Sequence, residues 1–568
     1  MMKLTRANPL LIYLLLTLSF WSITAQNRRR TPHKIETSAS TSPTGIAATR
    51  ITEQQLKAYL SFISADEVMG RDTPSRGLDL TAKFIATNLS TWGLKPAGDE
   101  SSFFQRIPLR RERIELSRTR AEINGKPFAY GADFVSPGLA AGTANGPLVF
   151  VGHGWVFKAK NIDAYEGVDV RDKIMVVAGG GYPPDAITFQ DVILRSAVYE
   201  HPYEYAQKHG AKGVIFLPHF TTLSDWEAHE RSTVENGNIS EFDRPRPKTA
   251  SGFYEGANGR WESQSSCCGL AIPTITVSTR MLNPLLSGEK LAVSTLLHNK
   301  TGAGEQIKAF DLDPKKQVSF TVALAVDKVY TQNVLTVLEG SDPVLRREYV
   351  ALGAHYDTVG GEGSQYGGAD DNGSGTVALM AIAKAFAAGA PPRRSVLFMW
   401  HSAEEKGMWG SRYFVEHPTI PLNQIVTYVN LDMVGRSKKA EDSTPENAGL
   451  TNSDEIYVLG PKLTSTELGE LSERVNRSYL NLRLNDRYDD PKDPERLFRR
   501  SDNYPFAQKG IPIIYYFTGF HADYHAPTDT LEKIDYLKIE KVARTAFLTS
   551  WELANSKSRP RFDKPLPK

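Results

Sequence analysis

At 568 residues the chain is too long for one ordinary hydrophobic core, so two or more structural units are expected. Its 40% hydrophobic and 23% charged residues are those of a soluble globular protein and exclude a disordered or fibrous chain. A formal net charge of +2 supplies no basic excess, so no nucleic-acid partner is expected.

Lys3 and Arg6 precede an apolar run from Leu10 to Phe20, and Ala25 closes a short stretch of small and polar residues. That order is a signal peptide over residues 1–25, and the run is shorter than the roughly 20 residues that span a bilayer. Export to the periplasm or the medium is expected, with no stable membrane anchor after cleavage. Residues 26–50 are polar, basic and rich in Ser, Thr and Pro, and read as a disordered leader.

From Thr52, a Thr cap leads into Leu56, Leu60 and Ile63 at helical spacing. A second helix is expected in LDLTAKFIATNLSTWG, stopping at Gly93. Between 143 and 301 short apolar runs (PLVFVGHG, KIMVVAGGG, GVIFLP, IPTITVS) alternate with Gly- and Pro-bearing turns. These read as strands of a β-rich unit inserted in another domain, with a helix ending at Gly210 and a long loop or lid near 225–268. The two cysteines, Cys267 and Cys268, are adjacent and suggest neither a disulfide framework nor a zinc cluster.

From about 320 the pattern becomes strand, helix, strand, helix. REYVALGAH, SVLFMWHS, NQIVTYVNLD and IPIIYYFTG are buried-strand patterns, and NGSGTVALMAIAKAFAAG is a nearly all-apolar helix. The expected fold class is α/β, a mixed and mostly parallel sheet covered by helices on both faces. This α/β domain would be discontinuous, 51–142 and 302–556, with 557–568 a flexible basic tail.

Active sites in open α/β sheets collect beyond the C-terminal ends of the strands. There the sequence places His355, the pair Glu404 and Glu405, Asp432 and His525, while the turn before the apolar helix carries Asp370 and Asp371. Imidazole and carboxylate are the donors that zinc accepts. Singly, each would be a structural histidine, a helix cap or a solvated carboxylate; one of the Asp370–Asp371 pair should favour the helix N-terminus through its dipole. Jointly they point to a metal site. His521 and His525 are spaced as a helical pair, but Gly519 and Pro527 argue against a helix, so only His525 is retained.

In order, H-Y-D, G-A-D-D-N-G-S-G, A-E-E-K-G, N-L-D-M-V-G-R, S-D-N-Y-P-F and Y-H-x-x-x-D-T resemble the motif set of the co-catalytic zinc aminopeptidases. That family also contains glutamate carboxypeptidases and glutaminyl cyclases. The resemblance covers roughly residues 51–140 and 305–555, and the 143–301 unit is similar to a protease-associated domain. It implies two Zn²⁺ per chain. Asp371 would bridge them, with His355 and Asp432 completing one site, and Glu405 and His525 the other. It further implies Glu404 as general base toward a metal-bound hydroxide, and Tyr524 as hydrogen-bond donor to the oxyanion. Asp357 would fix the His355 tautomer, with Asp502 and Asp529 in supporting places.

The implied function is a secreted exopeptidase acting on peptides, foremost an aminopeptidase. A carboxypeptidase would need arginines in the substrate pocket, for which Arg436 and Arg500 are candidates. A glutaminyl cyclase, with one zinc, would have Trp in place of Tyr524 and lack the D-N-G-S-G turn. A non-catalytic, receptor-like protein should lack ligands, and here all five and the base are present.

Overall fold

The structure is a computed structural model that describes residues 43–137, 139–181, 183–184, 186–187, 199–242, 253–255, 261–263, 272–291, 293, 307–360 and 366–567. The signal segment, most of the leader and both cysteines lie outside the described residues. No helix among the described residues is long and apolar enough to cross a membrane.

Ten strands build the large sheet: β1 (Lys95–Pro96), β2 (Phe104–Ile114), β3 (Asn238–Glu241), β4 (Leu324–Leu338), β5 (Tyr349–His355), β6 (Ser395–His401), β7 (Ile425–Leu431), β8 (Glu455–Leu459), β9 (Arg483–Asn485) and β10 (Ile513–Phe517). Their spatial order is β3-β2-β4-β6-β5-β7-β10-β8-β9, with β1 beside β4. The centre, β6-β5-β7-β10, is parallel. Toward one edge the β4–β6, β2–β4 and β3–β2 pairs are antiparallel, and toward the other β8 pairs antiparallel with β10. The parallel character expected from sequence is therefore that of the central strands. These are the ones that read as unbroken apolar runs, because both of their faces are covered.

One face packs on α2 (Glu53–Ile63), α3 (Arg76–Thr91), α4 (Gly375–Ala387), α6 (Thr466–Ser478) and α8 (Tyr536–Asn555). The other packs on α5 (Trp409–Glu416) and α7 (Asn503–Gln508). Strand β5 shows the period of two: Val350, Leu352 and Ala354 enter the first core, Ala351 the second. Helix α4 is rich in alanine, a strong helix former, and stops just before Gly389 and two prolines. It is buried on almost every side, with Val377, Leu379, Met380, Ile382 and Phe386 each at 0% exposure. Burial of each such side chain contributes roughly 1.5–3 kcal/mol, so α4 anchors the turn that precedes it.

A second sheet has parallel strands Leu148–Phe150, Ile174–Val177, Gly213–Phe216 and Thr274–Val277, the four runs read as strands from sequence. It also takes Phe134–Val135 and Phe310–Asp311 from outside 143–301. In the other direction β3, from inside that range, joins the large sheet. The sheets therefore interlock rather than divide at 143 and 301, because strand pairing follows proximity of edges rather than chain order. The expected loop near 225–268 contains a helix, Trp226–Arg231, and β3.

Two termini expected to be loose are ordered where described. Pro43–Ala48 forms a helix, α1, with Ala47 and Ala48 buried in the first core, so the leader is structured from residue 43. The tail is pinned by polar contacts that its sequence did not reveal. Arg559 reaches Glu348, Arg561 reaches Glu467, and Arg499 donates to the Pro567 carbonyl.

Candidate metal centre

Three adjacent parallel strands aim their C-terminal ends at one place. His355 is the last residue of β5, Asp432 follows β7 directly, and Glu404 and Glu405 lie in the turn after β6. The turn before α4 brings Asp371, and the loop after β10 brings His525. Asp371 stands between the two imidazoles and presents one oxygen to each. Its Oδ1 is 3.4 Å from His355 Nε2, and its Oδ2 is 3.1 Å from His525 Nε2. His355 Nε2 is also 3.3 Å from Asp432 Oδ1, and His525 Nε2 is 3.1 Å from Glu405 Oε2.

Two three-residue groups result, His355–Asp371–Asp432 and Asp371–Glu405–His525, each with its donor atoms within 4.8 Å of one another. Among the described residues the further group is His355–Glu404–Glu405 at the same place. The donor set suits zinc, since imidazole nitrogen and carboxylate oxygen are its ligands. Glu405 Oε1 is buried with no hydrogen-bond partner, as a waiting ligand atom would be.

The electrostatics fit a cation site. Burial works against ionised Asp371, yet hydrogen bonds from His355 and His525 hold its carboxyl far below the usual range. Burial and the neighbouring Asp371 push Glu405 up to about 7, against the pull of His525. His525 is lifted to about 11, because Glu405 and Asp371 outweigh the opposing effect of burial. Burial first, then Glu405, Asp502 and Asp432, raise Glu404 well above a normal glutamate, with His355 opposing. Carboxylates crowded this way repel one another unless positive charge lies among them.

Neighbouring groups fix the orientation of the donors. Asp357 approaches the far nitrogen of His355, with Nδ1 3.5 Å from its Oδ1 and 3.3 Å from its backbone carbonyl. The same carboxylate accepts the Glu404 and Glu405 amides at 3.1 and 3.3 Å, tying the β5 and β6 ends together. Asp529 Oδ2 accepts the amides of Asp370 and Asp371 at 2.9 and 3.0 Å. Ser501 Oγ donates to Asp432 Oδ2 at 2.6 Å, and Thr73 Oγ1 accepts the Ala403 amide at 3.1 Å. Ala403, Met433 and His525 have positive φ, 58°, 52° and 54°. A non-glycine residue held there costs about 1–3 kcal/mol, which the surrounding packing must offset.

Asp370 and Asp371 lie just before α4, as the dipole argument expects, but neither side chain makes the cap hydrogen bond. Asn372 Oδ1 accepts the Gly375 amide at the start of α4, while Asp370 accepts from Gly435 and faces His521. Dipole complementarity cannot distinguish which of three adjacent polar side chains turns back to the helix. His521 is buried 3.2 Å from Asp370 Oδ2, away from both donor groups, which agrees with setting it aside. His401 is a core residue held by Tyr428, with burial lowering it to about 3.

Tyr524 stacks on His525 with ring centroids 3.8 Å apart. Its hydroxyl keeps its proton well above the usual tyrosine range, through burial and the Asp371 and Glu405 carboxylates. Arg436 is buried and engaged by Asp523 at 2.8 Å and Asp529 at 3.7 Å. Arg500 lies over the Phe520 ring at 5.0 Å, beside Tyr524. The sequence reading missed Thr73 and Ser501. A hydroxyl carries no signal in a sequence until the group it bonds is known.

Residues 333–550, which carry all of these donors, match the model of Peptidase family M28. This part of the chain is similar to that family. The chain is similar to Leucine aminopeptidase 2 of Arthroderma otae, 25% identical over 289 residues, 46% of this chain and 53% of that protein. Leucine aminopeptidase 2 of Trichophyton rubrum is 28% identical over 220 residues, 38% of this chain and 39% of that protein. The chain thus spans about half or less of the length of these curated relatives. Among solved structures it resembles BSAP, a zinc aminopeptidase from Bacillus subtilis, at 17% identity and a TM-score of 0.47, over 90% of this chain and 98% of that one. The Porphyromonas gingivalis glutaminyl cyclase gives 17% identity and a TM-score of 0.30, over 39% of this chain and 78% of that one.

Proposed function

We propose that the protein is an exported metallo-aminopeptidase holding two zinc ions, one in each of the donor groups that share Asp371. The observation that carries this reading is the placement of Asp371, whose two oxygens face the imidazoles of two separate groups. His355 and Asp432 would hold one ion, Glu405 and His525 the other, with Asp371 common to both. When bound, the ions supply Lewis-acid polarisation of a carbonyl and a water of lowered pKa, which is hydrolytic chemistry without a change of oxidation state.

The chain's own groups supply the proton transfers. Glu404 sits beside Glu405 at the mouth of the centre, half-buried, with its amide fixed by Asp357. Its raised proton affinity suits a general base that takes a proton from the attacking water and returns it to the leaving amine. Tyr524 would donate its retained hydroxyl proton to the oxygen that becomes negative as the carbonyl is attacked. Asp357 orients the His355 ring through Nδ1, leaving Nε2 as ligand.

The names of the leucine aminopeptidase relatives favour removal of N-terminal residues. The engagement of Arg436 by carboxylates weakens the carboxypeptidase alternative. The Lys3–Ala25 segment supports export, and the 143–301 region is read as a protease-associated insertion that bears on substrate choice.

The test is elemental analysis of the purified protein, with aminoacyl and N-blocked chromogenic substrates hydrolysed by the same sample. Two zincs per chain and activity only on free N-termini support the reading. One zinc with cyclisation of N-terminal Gln, or cleavage indifferent to N-blocking, overturns it.

A further inference from the structure

The M28 match begins at residue 333, yet the metal-centre loops are held together from residue 71, far upstream. Arg71 lies in the turn between α2 and α3 and is 0% exposed, one of the largest fully buried side chains among the described residues. All its guanidinium hydrogen bonds go to backbone carbonyls. Nε donates to Tyr356 at 2.8 Å, Nη1 to Ile63 and Gly367 at 2.8 Å each, and Nη2 to Gly368 at 2.9 Å. Its backbone exchanges bonds with Thr358, the amide donating to Oγ1 at 3.1 Å and the carbonyl accepting the Thr358 amide at 3.2 Å.

Those acceptors are not a random set. Tyr356 follows the ligand His355, and Gly367 and Gly368 open the turn that delivers Asp371. Gly368 has φ +50°, and a Cβ there would meet the Asp371 carbonyl at 2.6 Å and Arg71 Nη2 at 3.2 Å. The turn is thus pressed against the guanidinium with no room for a larger residue. The adjoining residues of the same segment extend the brace. Lys406, next to Glu405, pairs with Asp72 at 2.7 Å, and Thr73 accepts the Ala403 amide.

Because no carboxylate bonds Arg71 among the described residues, its charge is not neutralised by a single partner. Asp357, Asp529, Asp371 and Glu405 all act on it and resist the lowering by burial, which takes it to about 10 and leaves it charged at neutral pH. A fixed cation here offsets part of the carboxylate repulsion in the site. A five-donor fork is suited to holding several carbonyls at once, which a lysine ammonium does less well.

We infer that Arg71 is a positioning residue of the zinc centre, clamping the strand end that carries His355 to the turn that carries Asp371, so that the two donor groups are set before metal arrives. This rests on the two-zinc reading above. Groups behind metal ligands typically change metal affinity by about 10–100-fold when removed.

A structural control lies at the opposite end of the sheet. Arg394 is 1% exposed, donates to the Leu553 and Ser556 carbonyls at 3.2 and 2.6 Å, and pairs with Glu348 at 2.7 Å. It precedes the first residue of β6, whereas the metal donors lie beyond the last.

The experiment is titration of the full-length apo-protein with Zn²⁺ against a chromophoric chelator, for wild type, R71M, R71K and R394M, with melting temperatures alongside. The expected result is two sites in wild type and zinc affinity weakened by about 10–100-fold in R71M. R71K should show a smaller loss, and R394M a lowered melting temperature with unchanged zinc affinity. Unchanged affinity in R71M, or an equal loss in R394M, overturns the inference while leaving the two-zinc reading intact. If R71M does not fold, R71K decides: wild-type affinity there overturns the clamp. A wild type that binds no zinc overturns the metal centre, and the role of Arg71 with it.

Discussion

The central parallel strands have two very different ends. Where β6 begins, polar groups are matched: Ser395 Oγ donates to the Arg346 carbonyl at 2.6 Å and accepts the Gly340 amide at 2.9 Å. Arg394 meets one carboxylate and several carbonyls. Where β5, β6 and β7 finish, carboxylates crowd, and Glu405 Oε1 is buried without a hydrogen-bond partner. Burial lifts Asp502 to about 7, with nearby carboxylates adding to the rise and His355 opposing it. Positive φ at Ala403, Met433 and His525 falls at this end too. One end has its charges and hydrogen bonds paired; the other crowds carboxylates together, as the proposed metal centre requires. Departures from local consistency of this kind belong at functional sites.

The sharpest way to break the comparison is Glu404→Gln. Turnover should fall by about 10²–10⁴-fold, the usual contribution of a general base, while elemental analysis still finds two zincs. Full activity would place the base elsewhere.

Removing metal comes next. Chelation should lower the melting temperature, and added zinc should restore it in a concentration-dependent manner, by about 2.7 kcal/mol per site at a hundred times Kd. A melting temperature indifferent to zinc would mean that the strand ends are balanced without cations.

Arg394→Met probes the quiet end. It leaves Glu348 paired with Arg559 but strips the Leu553 and Ser556 carbonyls of their buried donor, and should cost about 1–3 kcal/mol, the penalty of leaving buried polar groups unsatisfied. Urea denaturation measures this, and kcat/KM per folded molecule should not change.

Histidine in an apolar setting, the opposite of His355 and His525, gives an effect confined to acid pH. Burial lowers His201 to about 3, opposed weakly by a backbone hydrogen bond at Gly181; its Nδ1 caps the helix Pro202–His209 by accepting the Tyr203 amide. Its unfolded pKa is about 6.5, so below that the unfolded chain binds more protons. Stability should therefore decline as pH falls from about 6.5 toward 3. His201→Asn keeps a capping acceptor and should flatten that decline in thermal melts across the range.

Much of the site was legible because strand ends and short turns are local. His355, Glu404, Glu405, Asp432 and His525 could be placed by counting from apolar runs, and the resemblance singled out Asp371 from the Asp370–Asp371 pair. The α4 helix and the four parallel strands of the second sheet announced themselves by period and by their Gly and Pro stops.

What the sequence could not reveal involves partners far apart in the chain. The interlocking of the sheets, the docked tail, the Ser501–Asp432 bond and the hold of Arg71 on Tyr356, Gly367 and Gly368 join residues 68 to 297 positions apart. By itself, then, the sequence determined which side chains could serve as donors and which segments would be strands or helices, because both depend on near neighbours. Only the tertiary structure decided that Asp371 faces two imidazoles and that a distant arginine holds its turn in place. Those facts depend on where packing brings separate loops, and no local pattern encodes that.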